Sequence, residues 1–277
     1  MSRNRWKTSS RDGSSNSGHR RAPFPVPRRI LAGVRIDYPT FAQAVVWARE
    51  RVVSRTGGYV CHVSGHGVVE AQEDASLAAA LAGSALALPD GMPLVWMGRR
   101  HGLKAERVYG PDFMRALLAV GMDAGGRTLR HFLFGSTPQV LAMLEARIRE
   151  EYPRALIVGS LSPPFGPVSE EEGRAHLEAI LSSGADVVWV GLGAPRQEKW
   201  MAEASGRLPG ILLFGVGAAF DFLAGTKRQA PAFLRGIGLE WAFRWLSEPR
   251  RLTGRYRRIV PGLLRLMIRD ALDRPDT

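Results

Sequence analysis

Apolar residues in this chain switch between short compact runs and repeats at helical spacing, the two signals that separate strands from helices. Phe41, Val45, Val46 and Trp47 open the first helical stretch. Residues 58–64 (GYVCHVS) read as a strand, 68–72 and 76–82 as short helices, and 85–88 as a strand running into Pro89-Asp90-Gly91. Helical spacing returns over 92–100 and 112–120, and a strand over 128–134 ends at Gly135. The next helix has Ser136 or Thr137 as N-cap, Pro138 in its first turn, and Val140, Leu141, Leu144 and Ile148 on one face. Tyr152-Pro153 stops it.

A strand over 155–158 comes next, and then Ser169-Glu170-Glu171-Glu172 supplies a capping box for a helix with Leu177, Ile180 and Leu181 inward. Residues 186–190 form an apolar strand entering Gly191-Leu192-Gly193, residues 196–204 a helix, and 211–214 a strand entering Gly215-Val216-Gly217. The alternation predicts an α/β, Rossmann-like core whose mainly parallel sheet is covered on both faces. In such sheets ligands lie beyond the carboxyl ends of the strands. That rule gathers Ser64, Asp90, Gly135, Gly191–Gln197 and Gly215–Asp221 at one rim.

The two ends break the pattern. Residues 1–28 are Ser, Arg, Gly, Asn and Pro with almost no apolar content, and read as a disordered basic tail. The core is expected over 29–235. Residues 236–277 read as a basic, amphipathic, helical appendage in which Trp241, Phe243, Trp245, Leu263, Leu264, Met267 and Ile268 interleave with arginines. Such a segment suits the surface of an anionic bilayer; it equally suits a helical pair packed on the domain with solvated arginines.

Charge sharpens this division. Of the net +12, residues 1–29 carry +7, residues 227–277 carry +7, and residues 30–226 carry −2. A near-neutral domain thus sits between two basic ends, which points to an anionic partner. The chain has 277 residues and one cysteine, Cys61, which excludes an internal disulfide. No apolar run is long enough for a membrane span, and no secretory signal is visible.

Asp90, at a strand end, is either a turn residue or a general base facing the rim. Gly191-Leu192-Gly193-Ala194-Pro195-Arg196-Gln197-Glu198 is either a tight turn or a phosphate cradle at a helix N-terminus. Arg196 stands where a dinucleotide fingerprint would have its third glycine, which counts against a nicotinamide enzyme. There is no P-loop and no G-x-S-x-G. His62 and His66 lack an evident third metal ligand, and no Asp-x-Asp occurs, so neither a metal nor a cofactor is expected.

Several segments then occur in a specific order. They are Val63-Ser64-Gly65-His66-Gly67, Pro89-Asp90-Gly91-Met92-Pro93, Glu106-Arg107-Val108-Tyr109-Gly110-Pro111-Asp112, and Gly191 through Trp200. Gly215-Val216-Gly217-Ala218-Ala219-Phe220-Asp221, Arg228-Gln229-Ala230-Pro231, Gly238 through Arg244 and Glu248-Pro249-Arg250-Arg251 follow. Together they resemble the WecG/TagA/CpsF family of bacterial glycosyltransferases over about residues 30–258. The resemblance implies an inverting, metal-independent enzyme that moves a hexose or N-acetylhexosamine from a UDP-sugar to a polyprenyl-diphosphate-linked sugar. It implies a peripheral position on the cytoplasmic face of the membrane and a product used for cell-surface polysaccharide or exopolysaccharide.

The resemblance assigns Asp90 as base, and the basic appendage as a source of active-site arginines and of membrane contact. In the residue reading, Ser64, His66, Gly135, Gly191, Gly193 and Gln197 line the substrate rim. Arg107, Arg244, Arg250, Arg251 and Arg255 neutralise diphosphate, and Phe220 and Asp221 lie on the nucleotide side. His66 stands where the family's teichoic-acid branch has Asn, which makes a plain hexose as plausible a donor as N-acetylmannosamine. The state of assembly is left open, a homo-oligomer included. The competing class is a nucleic-acid-binding protein using the basic ends, but no motif of that kind is present.

Overall fold

A computed structural model describes residues 24–272, except the side chains of Arg251, Arg255 and Arg258. Of the basic tail expected over residues 1–28, residues 1–23 lie outside the described residues. Phe24 and Val26 already pack against the core, a few residues ahead of the boundary read from the sequence.

The chain opens with a hairpin that the sequence pattern did not announce. Arg28–Leu31 (β1) and Val34–Asp37 (β2) pair antiparallel around Ala32-Gly33, both at positive φ. A two-residue hairpin turn requires that geometry. Arg28, Arg29 and Arg35 mask the alternation of Leu31, Val34 and Ile36, which are buried. Asp37, also buried, accepts from the Ala87 amide at 2.9 Å and ties the hairpin to the core.

The core then alternates as expected. Phe41–Val53 (α1) leads to Gly58–Val63 (β3), Gly65–Ala71 (α2), Ala75–Gly83 (α3) and Leu86–Pro89 (β4). Met92–Arg100 (α4) and Gly110–Val120 (α5) precede Arg130–Gly135 (β5), Pro138–Glu151 (α6) and Leu156–Leu161 (β6). Glu170–Ser182 (α7), Val187–Gly191 (β7), Arg196–Ser205 (α8), Leu212–Gly215 (β8) and Ala219–Ala224 (α9) complete it. Thr137 rather than Ser136 caps α6, accepting from Val140, and Ser169 and Glu172 form the full capping box of α7.

The six core strands form one all-parallel sheet in the order β4-β3-β8-β7-β5-β6. Along β7, Val187 and Trp189 enter one apolar layer, and Val188 and Val190 the other. Burial on both faces explains why these strands read as continuous apolar runs. The architecture is Rossmann-like. At the rim, Gly135 has φ +126°, and a Cβ there would come within 2.6 Å of the Gly191 backbone. Glycine is thus required to let the ends of β5 and β7 approach.

Beyond α9 lie Ala232–Gly236 (α10), Glu240–Ser247 (α11) and the 24-residue helix Pro249–Leu272 (α12). α12 lies against α2 and α4. Leu266 is buried, and Leu263 seats on Gly65, where a Cβ would meet it at 2.6 Å. His101 and Asp270, both buried, meet at 3.1 Å and fasten the end of α12 to α4. The appendage therefore packs on the domain, and it also leaves an apolar stripe of Leu264, Ile268 and Leu272 exposed. No described helix is long and apolar enough to cross a membrane.

Candidate active site

A cleft of about 570 Å³ opens where β3, β4, β7 and β8 end, with α11 forming one wall. Parallel strands deliver their terminal residues to one rim, and here they deliver His62 and Ser64, Asp90, Gly191 and Gly215. Gly193, Gln197 and Asp221 come from the following turns and helices, and Arg244 from α11.

Asp90 follows β4, and its amide donates to the Val63 carbonyl at 2.7 Å, which continues the sheet pairing by one residue. Its Oδ1 accepts from the Gly110 amide at 2.8 Å, at the start of α5. Its Oδ2 makes no hydrogen bond with a described residue, and Asp90 is among the residues lining the cleft. Burial pushes the carboxyl from the ordinary 3.8 up to about 6; the Arg107 charge and the Gly110 N–H hold it from rising further. That value suits a general base at neutral pH.

Arg107 touches Asp90 at the backbone: its Nε donates to the Asp90 carbonyl. Its other nitrogens reach the Arg235 carbonyl at 3.4 Å and the Glu240 carboxylate at 2.6 Å, and its guanidinium lies 4.0 Å from the centre of the Tyr109 ring. Arg107 does not line the cleft. Arg244 does, and its side chain makes no hydrogen bond or ion pair with another described residue.

At the end of the neighbouring strand, beside Asp90-Gly91, Ser64 Oγ and His66 Nδ1 are 2.5 Å apart. His62 lies between Phe113 and the cleft, with Nδ1 at 3.2 Å from the Gly215 carbonyl. Burial lowers His62 to about 4, so it is neutral, and Nδ1 is the donor. Gln197 is buried: its Nε2 donates to Glu198 at 3.0 Å, and its Oε1 has no hydrogen-bond partner among the described residues. Asp221 pairs with Lys227 at 3.3 Å on the same lining.

Of the residues predicted from sequence, the cleft gathers Ser64, His66, Asp90, Gly191, Gly193, Gln197, Asp221 and Arg244. Gly135 and Phe220 are packing residues. Phe220 is fully buried and lies against Gly191, where a Cβ would meet its ring at 2.6 Å. Arg250 is exposed at the start of α12 and away from the cleft, and the side chains of Arg251 and Arg255 lie outside the described residues. Sequence reasoning gave no role to Tyr109 or Glu240. The available signal was spacing: Glu240 and Arg244 stand at i, i+4 and share a helix face.

An all-parallel sheet with a polar cleft at its carboxyl rim is where a Rossmann-like fold binds its ligand, and here that cleft holds the Asp90 carboxyl and the Arg244 guanidinium. The chain belongs to the glycosyl transferase WecG/TagA/CpsF family, whose model matches residues 28–277. The match includes the appendage as well as the core. The protein is therefore a glycosyltransferase of cell-surface polymer synthesis.

Proposed function

We propose that this enzyme transfers a hexose or N-acetylhexosamine, with inversion, from a UDP-sugar to a polyprenyl-diphosphate-linked sugar. The acceptor hydroxyl attacks the anomeric carbon as the bond from that carbon to the diphosphate oxygen breaks. UDP departs with the bonding electrons, and the hydroxyl proton passes to Asp90. The observation that carries this reading is Asp90 itself: a cleft-lining carboxylate with one oxygen held by Gly110, the other without a hydrogen bond to a described residue, and its pKa raised to about 6. Charge accumulating on the leaving diphosphate is met by Arg244 and the N–H groups at the start of α8.

Metal independence is part of the proposal and rests on the absence of Asp-x-Asp from the sequence. Attachment to the cytoplasmic membrane face is proposed from the exposed Leu264, Ile268 and Leu272 beside the arginines of α12. A panel of UDP-hexoses and UDP-N-acetylhexosamines, assayed in EDTA with a short-chain polyprenyl-diphosphate-sugar acceptor, tests the reading. One donor should give a product of inverted anomeric configuration. Retained configuration, or activity that returns only with added Mg²⁺ or Mn²⁺, would overturn the corresponding part.

A further inference from the structure

The family assignment leaves open how a segment beyond the sheet is held at the reaction centre. Glu240, the first residue of α11, accepts from Arg107 at 2.6 Å through Oε2 and from the Tyr109 hydroxyl at 2.8 Å through Oε1. Both oxygens are thus engaged by residues of the segment between α4 and α5. Side chains at this joint are largely buried, at 16% exposure for Arg107 and 13% for Glu240, so the pair is shielded from solvent screening. Tyr109 is enclosed on its face by Arg107 at 4.0 Å and Arg235 at 5.6 Å. Arg235 in turn donates to Asp112 at 2.9 Å, and Gln229 accepts from Arg115 at 3.2 Å. These contacts join α10, α11 and the loop before them to α5 and the segment leading into it.

Arg244 lies one helical turn after Glu240, on the same face of α11. It lines the cleft and makes no hydrogen bond or ion pair with a described residue, though its charge helps to lower the Asp90 pKa. A flexible guanidinium gains binding energy only where its helix is fixed. We infer that Glu240 is a positioning residue: it latches α11 onto Arg107 and Tyr109 and so sets Arg244 against the diphosphate of the bound nucleotide. This rests on the proposal that the cleft takes a UDP-sugar. It also assigns Arg107 to bracing rather than to diphosphate contact, because its nitrogens are spent on Asp90, Arg235 and Glu240.

The test uses UDP and uridine as probes and titration calorimetry on the full chain. Arg244→Ala should weaken UDP roughly tenfold, the range of one charge-assisted hydrogen bond, with uridine affinity unchanged. Glu240→Ala should do the same, and the double variant should be no weaker than Arg244→Ala alone, because both remove one interaction. Tyr109→Phe, which deletes one hydroxyl, should weaken UDP by a smaller factor that also vanishes in the Arg244→Ala background. Thermal melting of each variant identifies any that fails to fold, and Tyr109→Phe then carries the cycle. Additive losses, or equal losses for UDP and uridine, would overturn the positioning role. No UDP binding by the parent protein would overturn the UDP-sugar reading instead.

Discussion

Arg107 holds Asp90 by its carbonyl oxygen and leaves its carboxylate alone. The guanidinium charge is close enough to restrain the carboxyl near 6, yet no direct pair drives it to the low values of a salt-bridged aspartate. A base needs that compromise, since it must be ionised at neutral pH and still be able to accept a proton.

The raised value has a cost in stability. The native state binds the Asp90 proton more tightly than the unfolded chain, so between about pH 4 and 6 stability falls as pH rises, and above that window it stays reduced. Asp90→Asn removes this penalty. Its melting temperature should exceed the parent's at pH 7.5, by an increment corresponding to roughly 1–3 kcal/mol, and match it near pH 4. Equal shifts at both pH values would contradict the assignment. The kcat/KM of the parent should fall as pH drops below about 6, where Asp90 takes up its proton.

His131 works in the opposite direction. It is buried, accepts from Trp189 Nε1 at 3.2 Å, and is lowered by burial from 6.5 to about 4. The stability linked to its neutral form is present above pH 6.5 and lost as pH falls toward 4. His131→Gln keeps an acceptor for Trp189 but cannot titrate. Urea midpoints at pH 7 and pH 5 should differ less in this variant than in the parent. An unchanged difference would show that other groups carry the acid sensitivity.

Gly135, expected at the substrate rim, does not line the cleft, and its close approach to the Gly191 backbone fits a packing role. Gly135→Ala combines a strained positive φ with a 2.6 Å approach to the Gly191 backbone. The expected loss is about 3 kcal/mol or more. Chemical denaturation and UDP titration should show stability and affinity falling together. A normal unfolding midpoint with weakened UDP alone would restore the ligand role.

The proposed membrane contact would run through the exposed stripe of α12, Leu264, Ile268 and Leu272. Leu263 and Met267 face the core, so substituting them would test packing. Leu264→Ser, Ile268→Ser and Leu272→Ser together should reduce sedimentation with phosphatidylglycerol vesicles severalfold and leave UDP affinity unchanged. Undiminished sedimentation would remove α12 from the contact.

The parallel sheet and its rim were legible because strands buried on both faces write unmistakable apolar runs, as in residues 187–190. Asp90 was legible by its place at a strand end, and Gln197 by its place in the first turn of the helix that follows β7. The hairpin was not, since arginines occupy its outward positions and its strands are four residues each. The division of labour among arginines was also hidden. Arg107 and Arg244 are alike in sequence context, and only tertiary contact shows one saturated by Glu240 and the other unpaired. Gly135 and Gly191 illustrate the same limit, because a close backbone approach and a ligand cradle demand the same residue.

The central claim is that Asp90 takes the acceptor proton in a transfer from a UDP-sugar. Single-turnover transfer by Asp90→Asn, measured beside its UDP affinity, tests it most directly. The account predicts transfer slowed roughly 10²–10⁴-fold with UDP affinity within a few-fold of the parent's. Transfer at the parent's rate would contradict it.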